Sequence, residues 1–243
     1  MGWQGDWIGS RTWSGRCLWP SPRRRRRRGL GRNQSPPRKS PTTPPTTAGS
    51  HRRIWSKIVN FEVGSIRYYN RYLTTPLEPL NEASGLTIGV GYDLGYVTPD
   101  EIQNDWQGFL SGEDIQKLCK VSGLRGWTAK QAHRGVVGIT IPYEVALKQF
   151  TKVTLPRWIM KTYQTFPNFD NLNVRQKTAL VSLVFNRGTS LKGRKRDEMQ
   201  AIHDNLARGN TRPVAGLIKA MAQHSPLKGV QKRRVEEAEL FAS

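Results

Sequence analysis

The sequence predicts an α+β domain over residues 54–243, a small N-terminal β-containing lobe followed by a larger helical C-terminal lobe. Three observations carry this expectation. Residues 86–90, with Gly85, Gly89 and Gly91 around them, read as a short strand whose glycines allow tight backbone geometry. After Pro99, apolar residues recur at helical spacing almost to the end of the chain. Residues 1–53 have a composition that cannot add to a core, so the folded part must be found after them.

The elements follow in order. Ile54, Ile58 and Phe61 share one face of a short helix over 54–63, which Gly64 can end. Residues 68–81 are rich in aromatic and turn-forming types and read as a loop. The strand comes next, and helices follow it. Ser111 with Asp114, Thr128 with Gln131 and Asn173 with Gln176 place a capping side chain three residues before a polar partner. Pro142 suits a first helical turn. The helix from Val174 turns Ala179, Leu180, Leu183 and Val184 inward and can end at Gly188. Another runs from Asp197 to Gly209, and one from Pro213 carries Val214, Leu217, Ile218 and Met221. The last carries Val230, Val235, Ala238 and Phe241. No internal repeat is visible.

Charge is unevenly distributed. Residues 1–53 hold 13 Lys and Arg against Asp6 alone, leaving 26 basic and 17 acidic residues for 54–243. The first segment contains six consecutive arginines at 23–28 and many Pro, Ser, Thr and Gly, so like-charge repulsion and scarce apolar surface predict a disordered Arg/Pro/Trp-rich tail. Trp3, Trp7, Trp13 and Trp19 beside those arginines suit a membrane surface, anionic envelope polymers or nucleic acid. The plainer reading of them is a solvated tail or an over-extended gene start. No signal peptide or transmembrane stretch is visible. Cys17 and Cys119 fall in unrelated contexts and are expected as free thiols. His51, His133, His203 and His224 make no metal-type spacing, and neither metal nor cofactor is expected.

The chemistry is carried by acids. Cleaving a glycosidic bond needs one protonated carboxyl to donate to the leaving oxygen and one carboxylate to activate water or attack the sugar. The first works best when partly desolvated, the second when solvated and charged. An acid on a helix is ordinarily a solvated surface residue, so context must single out two among 18. Glu62 closes the first helix just before the β-containing segment. Asp93 follows the glycine-rich strand. A helix end and a strand edge are where the walls of a cleft meet, and the hydroxyl of Thr87 is placed to hold water.

Residues 86–95, Leu-Thr-Ile-Gly-Val-Gly-Tyr-Asp-Leu-Gly, resemble the active-site region of phage-type lysozymes, and within them the pesticin-like branch. Residues 179–188 are similar to that family's central helix, and 229–234 with 236–241 to its C-terminal helix. The three blocks stand in the family's order. The resemblance implies a lysozyme-like fold and hydrolysis of the β-1,4 bond between N-acetylmuramic acid and N-acetylglucosamine in peptidoglycan, with inversion favoured. It implies Glu62 as general acid, Thr87 as the residue that orients water, and Asp93 as the second carboxylate. In the commoner phage pattern that aspartate lies nine residues after the glutamate, where this chain has Arg71. Glu78 and Glu82 are the rival acids of the intervening loop and lie off the motif. Phe185 matches a cleft-lining aromatic, for which sugar contact and core burial stand as alternatives.

The expected partner is therefore peptidoglycan, met by a monomer at the periplasmic or extracellular wall, with the domain's excess positive charge drawing it to anionic polymers. No specific nucleic acid is expected. Two other function classes are a catalytically inactive wall-binding module and a polyanion-binding protein acting through its arginines. The glycines at 89, 91 and 95 do not make a dinucleotide-binding loop, because their spacing is wrong and Thr98 and Pro99 interrupt the required helix.

Overall fold

The first helix, α1 (Ala48–Val63), begins before the expected boundary at residue 54. The computed structural model describes residues 48–193 and 195–243, with side chains from Ser56 onwards, within the compact unit Pro41–Ser243. Residues 1–47 of the expected tail, with its arginine run, four tryptophans and Cys17, lie outside the described residues. Ile58, Val59 and Val63 bury one face of α1, and Gly64 ends it at φ +66°.

The first residues of the stretch 68–81, expected as loop, instead belong to helix α2 (Ile66–Tyr72). Ser65 caps it by accepting from the Tyr68 N–H at 3.1 Å, and Tyr69 is fully buried with its hydroxyl donating to the Ile141 carbonyl at 3.0 Å. Burial of one tyrosine decides the state of a segment whose local composition favours a turn. Burial also pushes the Tyr69 hydroxyl well above its ordinary pKa.

The expected strand is shorter and pairs with a second. β1 (Thr87–Ile88) and β2 (Tyr92–Asp93) form an antiparallel hairpin with Thr87 opposite Asp93 and Ile88 opposite Tyr92. Residues 89–91 turn, with Gly89 and Gly91 at positive φ. Ile88 and Tyr92 point into the core, where Tyr92 meets Trp106 edge-on at 5.5 Å and donates to Asp105 Oδ2 at 2.7 Å. Asp105, itself buried, is gripped by both terminal nitrogens of Arg157. The inner face of the hairpin is thereby fastened to the helices.

Those helices are α3 (Pro99–Trp106), α4 (Gly112–Lys120), α5 (Gly126–Ala132), α6 (Tyr143–Gln149), α7 (Leu155–Thr165), α8 (Val174–Arg187), α9 (Asp197–Ala207), α10 (Val214–Ala220) and α11 (Lys228–Ala242). A π-helical turn, Phe150–Thr154, joins α6 to α7. Ser111 caps α4, and Asn173 with Gln176 forms a reciprocal capping box on α8, both as the spacing predicts. Thr128 is no cap: α5 starts at Gly126, and the Thr128 hydroxyl donates back to the Arg125 carbonyl at 2.8 Å. Seven consecutive residues of α8, from Thr178 to Val184, are buried, so it runs through the core with α1, α7 and α11 against it. The fold is α+β, mostly helical with one small antiparallel sheet among the described residues.

The last helix departs most from expectation. Val230 and Val235 are only half-buried, and the inward face carries Arg233, Arg234 and Glu237 beside Ala238 and Phe241. The reason is polar company: α8 presents Ser182 and Asn186 to this face, and α1 presents Glu62. Among the described residues, no helix is long and apolar enough to cross a membrane, and no group of three or more His, Cys, Asp or Glu is placed to hold a metal.

Candidate active site

The hairpin's outer face is built by strand alternation. With Ile88 and Tyr92 turned inward, Thr87 and Asp93 point outward and are half-buried. They are directly opposite each other, and the ladder bond runs between Leu94 N–H and the Leu86 carbonyl at 2.8 Å. The Thr87–Asp93 pair is therefore of the non-hydrogen-bonded kind, which holds side chains closest, with Cβ atoms about 4.5–5.5 Å apart. The backbone of Thr87 is occupied on its other side by Leu77, at 2.8 and 3.1 Å. Its hydroxyl makes no hydrogen bond among the described residues.

Asp93 is oriented by backbone. Its Oδ1 accepts from the Gly85 N–H at 2.9 Å and the Gly95 N–H at 2.8 Å, the second capping a short turn, Leu94–Tyr96. These bonds exist because Gly85 and Gly95 nearly touch; a Cβ on either would run into the backbone of the other. Burial raises the Asp93 carboxyl above the usual aspartate range, against the two N–H donors and the Arg125 guanidinium, which favour the carboxylate. Arg125 stands nearby with Nε donating to the Gly95 carbonyl at 2.8 Å and its guanidinium over the Tyr96 ring at 4.1 Å.

Glu62 reaches the same hairpin from the last turn of α1. A Cβ on Gly91 would lie 2.9 Å from Glu62 Oε2 and 3.2 Å from Phe185 Cε1, so carboxylate, phenyl edge and glycine backbone meet at one point. Gly91 and Asp93 are separated by at most about 7 Å of chain, which puts the two carboxylates within about 15 Å of each other. Phe185 is half-buried. Its ring packs against Phe150 and Trp158, at 5.8 and 5.3 Å between centroids, while its edge faces Gly91 and Glu62.

Behind Glu62 lies a buried ionic cluster. Arg233 Nη1 donates to Glu62 Oε1 at 2.7 Å, Nε to Glu237 Oε1 at 3.1 Å, and Nη2 to the Ser182 carbonyl at 3.1 Å. Ser182 Oγ donates to Glu237 Oε1 at 2.5 Å, and Arg234 bonds Glu237 and Asn186. Arg233 also stands over the Phe61 ring at 4.8 Å. Arg234 and Glu237 are almost wholly withdrawn from water, and burial pushes the Arg234 guanidinium down to about 10 although Glu237 opposes it. Such a network holds only while every member is satisfied.

The structure thus brings Glu62, Thr87, Asp93 and Phe185 to one hairpin. The rival acids are engaged elsewhere: Glu78 pairs with Lys130 at 3.2 Å, and Glu82 accepts from the Trp127 N–H at 3.4 Å. Arg71 is exposed, with its guanidinium over Tyr72. Sequence reasoning missed Arg233 and Arg125 as partners of the two carboxylates. For Arg233 a signal existed, since charges at 233, 234 and 237 fall on the same helical face as Ala238 and Phe241. For Arg125 there was none. No protein-family model matches this chain, and the search of curated proteins returns no match.

Proposed function

We propose that this chain is a lysozyme-type peptidoglycan hydrolase, with the hairpin part as the small lobe and the helices as the large one. The observation that carries the reading is the meeting of Glu62 with Gly91, which sets two carboxylates and the Thr87 hydroxyl on the surface of one hairpin. In the reaction, Glu62 gives its proton to the glycosidic oxygen of the leaving sugar. A water held by Thr87 attacks the anomeric carbon and passes its proton to Asp93, so the C–O bond to the leaving sugar breaks as the C–O bond to water forms. The excess positive charge of residues 54–243 draws the enzyme to a wall rich in carboxylates and phosphates.

The test is release of new reducing ends from purified peptidoglycan, with mass spectrometry naming the terminal sugar. The expected product ends in N-acetylmuramic acid, and Glu62→Gln lowers the rate on the order of 100- to 10,000-fold in protein that circular dichroism shows to be folded at the assay temperature. Wild-type protein that binds walls but frees no reducing ends overturns the reading in favour of a wall-binding module.

A further inference from the structure

A cavity outside the carboxylate site opens between the loop that precedes the hairpin and helix α5. It measures about 270 Å³ and is lined by Leu80, Asn81, Glu82, Trp127 and Lys130 among others. We infer that this cavity binds one N-acetylhexosamine ring of the glycan strand, as a subsite next to the catalytic cleft; the inference rests on the proposed muramidase activity.

The first argument is the exposure of apolar surface around polar groups. Trp127 is 63% exposed and Leu80 93% exposed, and neither packs into the core. A large aromatic left in water beside a cavity offers a flat apolar face of the kind that the C–H side of a pyranose covers, while Leu80 meets an acetyl methyl. The second argument is the polar set. Asn81 Oδ1 is consumed by the N–H groups of Ala83 and Ser84 and by the Ser84 hydroxyl, which leaves its amide NH₂ to donate outward. Glu82 uses Oε2 on Trp127 N–H, leaving Oε1 to accept from sugar hydroxyls, and Lys130, paired with Glu78 at 3.2 Å, keeps further N–H groups to donate to a sugar oxygen. A mixed lining, one exposed aromatic face beside convergent polar groups, matches the alternating C–H and hydroxyl faces of a sugar, and the volume, just under the usual ~300–1,000 Å³, suits one ring rather than a chain.

The third argument is position. Glu82 is three residues from Gly85, whose N–H holds Asp93, so the cavity wall stands within about 11 Å of chain from the group that orients the catalytic carboxylate. Gly126, beside Trp127, donates to the Ser84 carbonyl at 2.8 Å and locks α5 to the same loop. One loop, hydrogen-bonded at both ends, therefore links cavity and carboxylate, within the reach of a short oligosaccharide.

The experiment uses the full chain and a β-1,4-linked N-acetylglucosamine tetramer. Binding is measured by calorimetry in the Glu62→Gln background, which prevents cleavage, and KM and kcat are measured on solubilised peptidoglycan with Glu62 in place. Trp127→Ala is expected to weaken tetramer binding about tenfold and raise KM to a similar degree, with the loss in KM rather than kcat. Trp127→Phe, which keeps a stacking face, should recover most of it. If Glu62→Gln abolishes hydrolysis while Trp127→Ala moves neither affinity nor KM, the subsite is overturned and the muramidase reading stands. If wild-type protein frees no reducing ends yet Trp127→Ala still weakens tetramer binding, the sugar site stands and the muramidase reading falls. Absence of tetramer binding to protein that does cleave peptidoglycan, with KM unmoved by Trp127→Ala, also overturns the subsite.

Discussion

Glu62 and Asp93 face the same hairpin, but the protein holds them by opposite means. Asp93 is held by backbone: two N–H groups from residues within eight positions of it, brought close by a pair of touching glycines. Glu62 is held by a side chain 171 residues away, and that side chain depends in turn on Glu237 and Ser182. The first arrangement is complete once the hairpin closes. The second exists only when α1, α8 and α11 have packed together. One carboxylate is thus placed by local geometry and the other by the whole core, and substitutions should separate them.

The largest effect is expected on the Glu62 side. Glu237→Leu leaves Arg233 and Arg234 buried with one counter-charge fewer, and should lower unfolding stability by about 3–5 kcal/mol, read from urea denaturation midpoints. An unchanged midpoint would show that the two arginines find other partners, and that Glu62 is not held through this cluster.

Next in size is the contact where the two regions meet. Gly91→Ala puts a methyl against the Glu62 carboxylate at a backbone φ of +66°, and should cost about 1–3 kcal/mol while lowering hydrolysis. Gly64 has the same φ with nothing near its missing Cβ, so Gly64→Ala carries the backbone cost alone. Equal losses of activity in the two variants would mean that contact with Glu62 contributes nothing.

On the Asp93 side the substitutions should split by what they accept. Asp93→Ala strands the Gly85 and Gly95 N–H groups and should cost about 1–3 kcal/mol. Asp93→Asn keeps an acceptor. Because burial raises the Asp93 carboxyl in the folded protein, any stability this group lends is present below its unfolded-state pKa and lost as pH rises through the folded one. At neutral pH Asn removes that loss, so Asp93→Asn should melt no lower than wild type while activity disappears. A lower melting temperature for Asn would show that the charge itself stabilises the hairpin.

The smallest effect is electrostatic. Arg125 pulls the Asp93 carboxyl downward, so Arg125→Gln should move the acid limb of the kcat/KM profile to higher pH, and Arg125→Lys should bring it back. A limb that stays in place assigns it to another group.

How legible this was depended on the range of the interaction concerned. The capping pair Asn173 and Gln176 could be read because its chemistry is complete within four residues. Gly64 and Gly188 could be read as helix ends for the same reason. The hairpin was half legible. Its glycines were seen, but the return strand at Tyr92 and Asp93 is too short to show a period. Helix α2 was misread because the decisive contact, Tyr69 to the Ile141 carbonyl, spans 72 residues. The face of α11 was misread because apolar periodicity cannot register a polar partner on another helix.

What the sequence determined by itself was the set of chemical groups, the local turns and the order of elements: two acids flanking a glycine-rich strand, a capped central helix, and a strongly basic first segment. Local chain geometry suffices for these, since each involves neighbours a few residues apart. Only the tertiary structure decided which acids share a surface and which cation stands behind Glu62. Those facts depend on helices distant in sequence being driven together by burial of apolar surface, a force that carries no address in any short stretch of chain.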